Sequence, residues 1–179
     1  GGISYGDIEL VMTGERLDEE SFNLFRQAEK TQIIVHFIPE ESVQLALAHP
    51  FVMVASDGVI SDGRGHPRGA GTFSRVLGKY VRELSVISLN EAIRKMTIMP
   101  ARRLEKSTPS MKRKGRLSAG SDADIVIFDP YTVIDKATYT EPAVKSEGIK
   151  YVIVAGKVVV KKGQLNKRIK AGKPLINKE

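Results

Sequence analysis

The feature that most constrains this chain is the alternation of patterns across residues 7–55. DIELVMT (7–13) reads as a short strand ending at Gly14. Leu17, Phe22, Leu24, Phe25 and Ala28 then recur at helical spacing between Asp18 and Lys30, with an acidic start and a basic end that suit the helix dipole. TQIIVHFI (31–38) is a nearly continuous β-branched run, of the kind a parallel sheet buries on both faces. Pro39-Glu40-Glu41 opens a helix to about Ala48, His49-Pro50 stops it, and Phe51–Ala55 is a further apolar strand. Strand, helix, strand, helix, strand with short connections predicts right-handed βαβ units and a parallel sheet.

Downstream, Thr72 is placed to cap a helix running to about Glu83, with Phe73, Val76, Leu77 and Tyr80 on one face. Ser88-Leu89-Asn90-Glu91 predicts a capping box and a helix through Met99, and Pro100 to Leu104 a further helical turn. Past about residue 106 the grammar changes. KSTPSMKRKGR (106–116) is a polar connector, Asp124–Asp129 a short strand stopped by Pro130, and Tyr151–Val160 a tight hairpin with Gly156 in its turn. The chain therefore divides into an α/β part, 1–105, and a small β part, 106–179.

Charge follows the same division. Residues 1–100 hold 10 Lys+Arg against 13 Asp+Glu, and residues 101–179 hold 18 against 8. A basic half suits either a solvated lysine-rich surface or an acidic partner such as nucleic acid, but the aromatic signature of an RNA-binding module is absent. With no cysteine, disulfides and thiolate metal sites are excluded, and a cytoplasmic protein is expected. Three histidines are too few and too scattered for an autonomous zinc site. No apolar run is long enough to cross a bilayer, and the first residues show no charged-then-apolar leader. A start at Gly1-Gly2-Ile3 suggests a piece of a longer protein.

The candidate site is the stretch FVMVASDGVISDGRGHPRGAGTF (51–73). Parallel α/β folds gather ligands at the carboxyl ends of their strands, where Asp57 falls. A carboxylate there can accept a proton, bind a metal or orient water; Ser-Asp-Gly is equally ordinary turn chemistry. His66 and Arg68 suit recognition of a carboxylate, or are plain loop residues. Glycines 58, 63, 65, 69 and 71 fit neither GxGxxG nor GxxxxGK[ST], and predict a flexible loop rather than a phosphate cradle. His36 lies where it can face the same mouth or simply pack, and His49 reads as a helix-end cap. Neither HxH nor HExxH occurs.

VASDG followed by HPRGAGTFSRVLGKYVRE resembles the C-terminal part of the amidohydrolase superfamily, and more narrowly the N-acyl-D-amino-acid deacylases, or D-aminoacylases. SLNEAIRKMTIMPARRL, GRLSAGSDADIVIFDP and ATYTEPAVKSEGIKYVIVAGKVVV are similar to that family's last barrel helices and closing strands. The resemblance runs from about residue 8 to 165. It implies a (β/α)8 TIM-type metallo-hydrolase barrel, of which this chain is the C-terminal portion, followed by the C-terminal strands of a small β-sandwich lobe. The implied chemistry is hydrolysis of an amide C–N bond assisted by zinc or another divalent metal. Asp57 matches the aspartate that takes a proton from water and hands it to the leaving amine, and that in many members touches the metal. His66, Arg68 and Gly69 match the motif loop on the substrate side. The family's HxH pair and its further ligands have no counterpart here.

The expectation is thus that the chain alone is inactive and binds no catalytic zinc, that its partners are the N-terminal remainder of the protein and an N-acyl amino acid, and that open sheet edges favour self-association or exchange of elements. A non-catalytic module pairing with another chain through those edges, and a basic nucleic-acid-binding domain, are the alternatives. No membrane partner is expected.

Overall fold

The computed structural model describes residues 2–28 and 31–175; the expectations resting on Gly1 and Lys30 lie outside these residues. The first strand, β1 (Ile8–Leu10), does not lead directly into a helix. The chain reverses at 11–14, where Gly14 adopts φ 77°, and residues 15–17 return alongside β1, with Leu10 N–H donating to Glu15 O at 2.9 Å and Leu17 N–H to Ile8 O at 2.9 Å. Only then does α1 (Glu19–Phe25) begin, capped by Asp18, whose carboxylate accepts from Ser21 N–H at 2.8 Å.

The next strand, β2 (Ile33–Val35), pairs antiparallel with β1 in the register Ile8↔Val35. This corrects the expected parallel sheet. The unrecognised turn at 11–14 reverses the chain once before α1, so the strand that follows the helix meets β1 head to tail. Ile8, Leu10 and Leu17 form a small core there against Phe22 and Phe25.

The two apolar runs are not buried on both faces. Ile34 is buried, whereas Ile33, Val35, Phe37 and Ile38 are exposed. After α2 (Glu40–Ala48) the chain turns at 49–51 and then runs to residue 59 with no ladder partner among the described residues, and exposure alternates, with positions 51, 53, 55, 57 and 59 outward. Helix α4 (Leu89–Met96) supplies what a neighbouring strand would. The fully buried Lys95 Nζ donates to the carbonyls of His49 and, at 2.9 Å, Val52; Arg94 Nη2 donates to Pro50 O at 3.2 Å; and Val54 N–H donates to Lys95 O at 3.3 Å.

The glycine-rich stretch is not a loose loop. It forms a hairpin, β3 (Ile60–Ser61) and β4 (Arg64–Gly65), turned by Asp62-Gly63 with φ of 51° and 76°, the mirror-image turn that two-residue hairpins favour. Helix α3 (Arg68–Arg75) starts four residues before the predicted cap. Thr72 lies inside it, its hydroxyl donating to Arg68 O at 2.9 Å, and the helix continues as a π-helical segment, Val76–Glu83. Ser88 does cap α4, accepting from Glu91 N–H at 3.2 Å, but Glu91 turns to Arg94 at 2.7 Å instead of completing the box. The predicted run through Met99 breaks at Thr97 (φ −129°, ψ −85°), where α5 (Ile98–Leu104) begins.

The polar connector holds a 3-10 turn, Pro109–Arg113, and leads to β5 (Ile125–Phe128), β6 (Ile149–Val154), β7 (Lys157–Lys161) and β8 (Gln164–Leu165). These form a four-stranded antiparallel meander in sequence order. Ala155-Gly156, with φ of 48° and 77°, makes the predicted tight turn between β6 and β7. The main core takes residues from both halves: Leu47, Val76, Leu77, Tyr80, Ile87 and Ala92 enclose Val133, with Phe128 and Ile149 packed against them. Side chains of this kind contribute about 1.5–3 kcal/mol each when fully buried. Arg82 fastens the same junction, Nη1 donating to Val133 O at 2.6 Å. No helix among the described residues is long and apolar enough to cross a membrane.

Candidate functional site

Asp57 ends the extended segment in a left-handed conformation, φ 43°, an uncommon state for a non-glycine residue that costs about 1–2 kcal/mol. Arg68, from the first turn of α3, holds it there. Its Nε donates to Asp57 O at 2.8 Å and its Nη2 to Asp57 Oδ2 at 3.2 Å. The Asp57 side chain is nonetheless 93% exposed, so the carboxylate is oriented without being enclosed.

The contact rests on two glycines. A Cβ on Gly58 would collide with the Gly69 backbone, and one on Gly69 would lie 2.9 Å from Ile60 Cγ1. Gly69, expected on a substrate-side loop, therefore lies in the first turn of α3 and packs against the hairpin and the residue after Asp57.

Two residues before Arg68, His66 accepts the Arg68 N–H at Nδ1 (3.1 Å) and sets its Nε2 3.4 Å from the Tyr139 hydroxyl. Burial, followed by the positive charge of Arg68, pushes the His66 imidazole below the usual histidine range. Tyr139 comes from the other half of the chain. Its ring stands 5.1 Å from His66 edge-on and 4.5 Å from His36. His36 is held by the buried Glu9, Nε2 to Oε2 at 2.9 Å, and Arg16 Nε approaches the same oxygen at 3.6 Å. A second tie between the halves, Arg75 to Asp135 at 2.8 Å, stands beside them.

Asp57, His66, Arg68, His36 and Tyr139 all line one open cavity of about 1140 Å³. Three of the predicted residues thus converge, and His36 joins them. His49 does not: its Nδ1 takes the Phe51 N–H at 3.4 Å and its carbonyl takes Lys95, a local structural role. Tyr139 and Glu9 carry no sequence signal of their own: ATYTEPA resembles part of the family's closing strands, and Glu9 is one position of a short strand.

Chemically, the cavity offers an oriented carboxylate able to exchange protons, a guanidinium fork, and a histidine–tyrosine pair able to donate hydrogen bonds. A metal site is not complete. Among the described residues no three His, Cys, Asp or Glu side chains converge on a point where an ion fits, Asp57 is engaged by Arg68, and His36 Nε2 is taken by Glu9.

Comparison with known proteins shows what the chain as a whole is similar to. The chain is 44% identical over 117 residues to the N-acyl-D-glutamate deacylase of Alcaligenes xylosoxydans xylosoxydans, covering 65% of this chain and 23% of that protein. The crystal structure of N-acyl-D-glutamate deacylase from Bordetella bronchiseptica, complexed with zinc and a phosphonate mimic of the tetrahedral intermediate, superposes at a TM-score of 0.76 with 36% identity, over 87% of this chain and 35% of that one. A D-aminoacylase structure described for its binuclear metal centre gives a TM-score of 0.80 at 31% identity, over 89% of this chain and 36% of that one. The chain thus spans between about a quarter and a third of the length of these relatives. The profile of the Amidohydrolase family matches residues 8–160, most of the sequence, and with the shared fold this leads to one conclusion: the chain belongs to the amidohydrolase family.

Proposed function

We propose that this chain is the C-terminal part of a metal-dependent hydrolase that cleaves the amide C–N bond of N-acyl-D-amino acids. Within residues 1–105, the segment ending at Asp57 and the helix α3 after it supply a βα unit of a TIM-type barrel, while the antiparallel β1–β2 pair stands outside the parallel pattern of such a barrel; residues 106–179 supply the C-terminal strands of its small β-sandwich lobe. The observation that carries the reading is Asp57, exposed at the tip of an extended segment, gripped by Arg68 and facing a cavity shared with His66. The reading is supported by the names of the relatives the chain matches, an N-acyl-D-glutamate deacylase and a D-aminoacylase.

In this reading Asp57 is the general base. Its carboxylate takes a proton from the attacking water and returns it to the amide nitrogen as that bond breaks, leaving a carboxylic acid and a free amine. Arg68 fixes the direction from which the carboxylate works and, with His66, faces the substrate side. Zinc or another divalent metal belongs to the full-length enzyme, with Asp57 as the ligand this chain can add to others supplied upstream. The absence of cysteine supports a cytoplasmic setting.

A second reading is favoured by the outward apolar residues Phe37, Ile38, Leu45 and Phe51: self-association of the isolated chain through exposed apolar side chains. Sedimentation showing a monomer at all concentrations removes it.

The functional reading is tested by complementation. The chain alone, supplied with zinc and N-acyl-D-amino acids, is expected to give no turnover. Joined to the upstream portion of the N-acyl-D-glutamate deacylase relative in place of that protein's own C-terminal part, it is expected to hydrolyse N-acyl-D-amino acids. Asp57→Asn should then lower the rate by about 10²–10⁴-fold. Turnover that survives Asp57→Asn overturns the reading.

A further inference from the structure

We propose that Tyr139 is a substrate-side hydrogen-bond donor of this cavity, its hydroxyl aimed by His66 at a carboxylate oxygen of the bound ligand. The proposal rests on the functional reading above for the class of ligand, and on the following geometry for the residue.

The direction of the hydroxyl proton follows from the tautomer of His66. Arg68 N–H donates to His66 Nδ1 at 3.1 Å, so that nitrogen carries the lone pair. A neutral imidazole then holds its single proton on Nε2, which faces Tyr139 Oη at 3.4 Å. The tyrosine oxygen is the acceptor in that contact and keeps its own proton to give. Among the described residues, no protein group takes it: the His66 contact is the only hydrogen bond that Tyr139 Oη makes.

The ring is also fixed in advance. His66 lies edge-on at 5.1 Å, His36 is tilted against it at 4.5 Å, and His36 is itself pinned to buried Glu9 at 2.9 Å. A donor held by two imidazoles loses little freedom when it binds, which is where preorganised sites gain affinity. The other cations of the cavity fit an anionic ligand. Arg75 is committed to Asp135, whereas Arg68 needs only its Nε and Nη2 for Asp57 and has further N–H groups to offer. Tyr139 and Arg68 line the same space, so a ligand there is faced by both donors.

The arrangement also gives the second half of the chain a part in recognition. Residues 137–139 enter the cavity because Asp135, two to four residues earlier, is tied to Arg75, and Ala137 is buried. The segment that brings Tyr139 is therefore anchored before any ligand arrives.

The test uses the isotopically labelled chain itself, followed by NMR through its histidine and tyrosine ring signals, with sodium N-acetyl-D-glutamate as the probe. Saturable shifts of the His66 and Tyr139 signals are expected, and the uncharged diamide of the same compound should produce none. Tyr139→Phe keeps the aromatic clamp and removes only the hydroxyl. It should weaken binding about tenfold while leaving the ring-current shifts of His36 and His66 in place. Tyr139→Ala should abolish those ring-current shifts as well. Equal affinity in Tyr139→Phe, equal binding of the diamide, or no saturable shift in the unmodified chain each overturns the proposal. Failure of the complemented enzyme to hydrolyse its substrates, with the Tyr139→Phe loss intact, would instead remove the functional reading and leave the donor standing.

Discussion

Arg68 reaches back eleven residues to Asp57 and holds both its carbonyl, at 2.8 Å, and its carboxylate, at 3.2 Å. The same side chain thus stabilises a left-handed backbone and orients the group that backbone presents. Arg68→Ala should cost about 1–2 kcal/mol, read as a lowered urea midpoint. Arg68→Lys should restore little of it, because an ammonium cannot make both contacts in a fixed fork. Full recovery in the lysine variant would show that charge alone is at work.

Lys95 presents the opposite case, a cation with no exposed side-chain surface that donates to two backbone carbonyls and has the Glu91 carboxylate only at 3.8 Å. Replacing it with methionine keeps most of the volume but strands the His49 and Val52 carbonyls. A loss of about 3 kcal/mol is expected, with faster hydrogen exchange at the Val54 amide, whose partner is the Lys95 carbonyl. A loss below about 0.5 kcal/mol would mean that water replaces the ammonium freely.

Gly58→Ala should destabilise by about 2 kcal/mol or more, because the added methyl meets the Gly69 backbone and neither segment can yield without moving Asp57. Gly172→Ala, where nothing lies within 4 Å, is the control and should change stability by less than about 0.5 kcal/mol. Thermal unfolding of the two variants side by side decides it.

His66 gives the chain a pH dependence with a definite sign. Its folded imidazole is pushed below the ordinary value by burial and by Arg68, so the unfolded chain takes up the proton first. Stability is then full above the unfolded value, about 6.5, and falls as the pH drops through it toward the folded value. His66→Gln should flatten the curve of urea midpoint against pH between about 7 and 5. An unchanged slope in that variant would assign the effect elsewhere.

Much of the local structure was legible because it is written in neighbouring residues. Pro39-Glu40-Glu41 starts α2, His49-Pro50 ends it, Ser88 caps α4, and Gly156 turns the β6–β7 hairpin. What failed depended on partners far away or on turns hidden inside apolar runs. The reversal before Gly14 looks like the end of a strand, and it is enough to make β1 and β2 antiparallel. Phe51–Ala55 has the composition of a buried strand, but its ladder is replaced by Arg94 and Lys95, some forty residues on. The five glycines of the site suggested looseness; Gly58 and Gly69 are there for close contact and Gly63 for a mirror-image turn. Asp57, His66 and Arg68 could be named because one short motif carries all three. Tyr139 could not, since only the docking of Asp135 on Arg75 brings its segment to them.

The alternating exposure of residues 51–59 ties two events together. Phe51, Met53 and Val59 face outward at the same positions of the repeat as Asp57. Anything that settles on those side chains gains by burying hydrocarbon, at about 25 cal/mol per Å². In the same motion it covers the Asp57 side chain, which is 93% exposed in the isolated chain. Docking on this face therefore competes with solvent for Asp57: the isolated chain leaves open a carboxylate that covering would close.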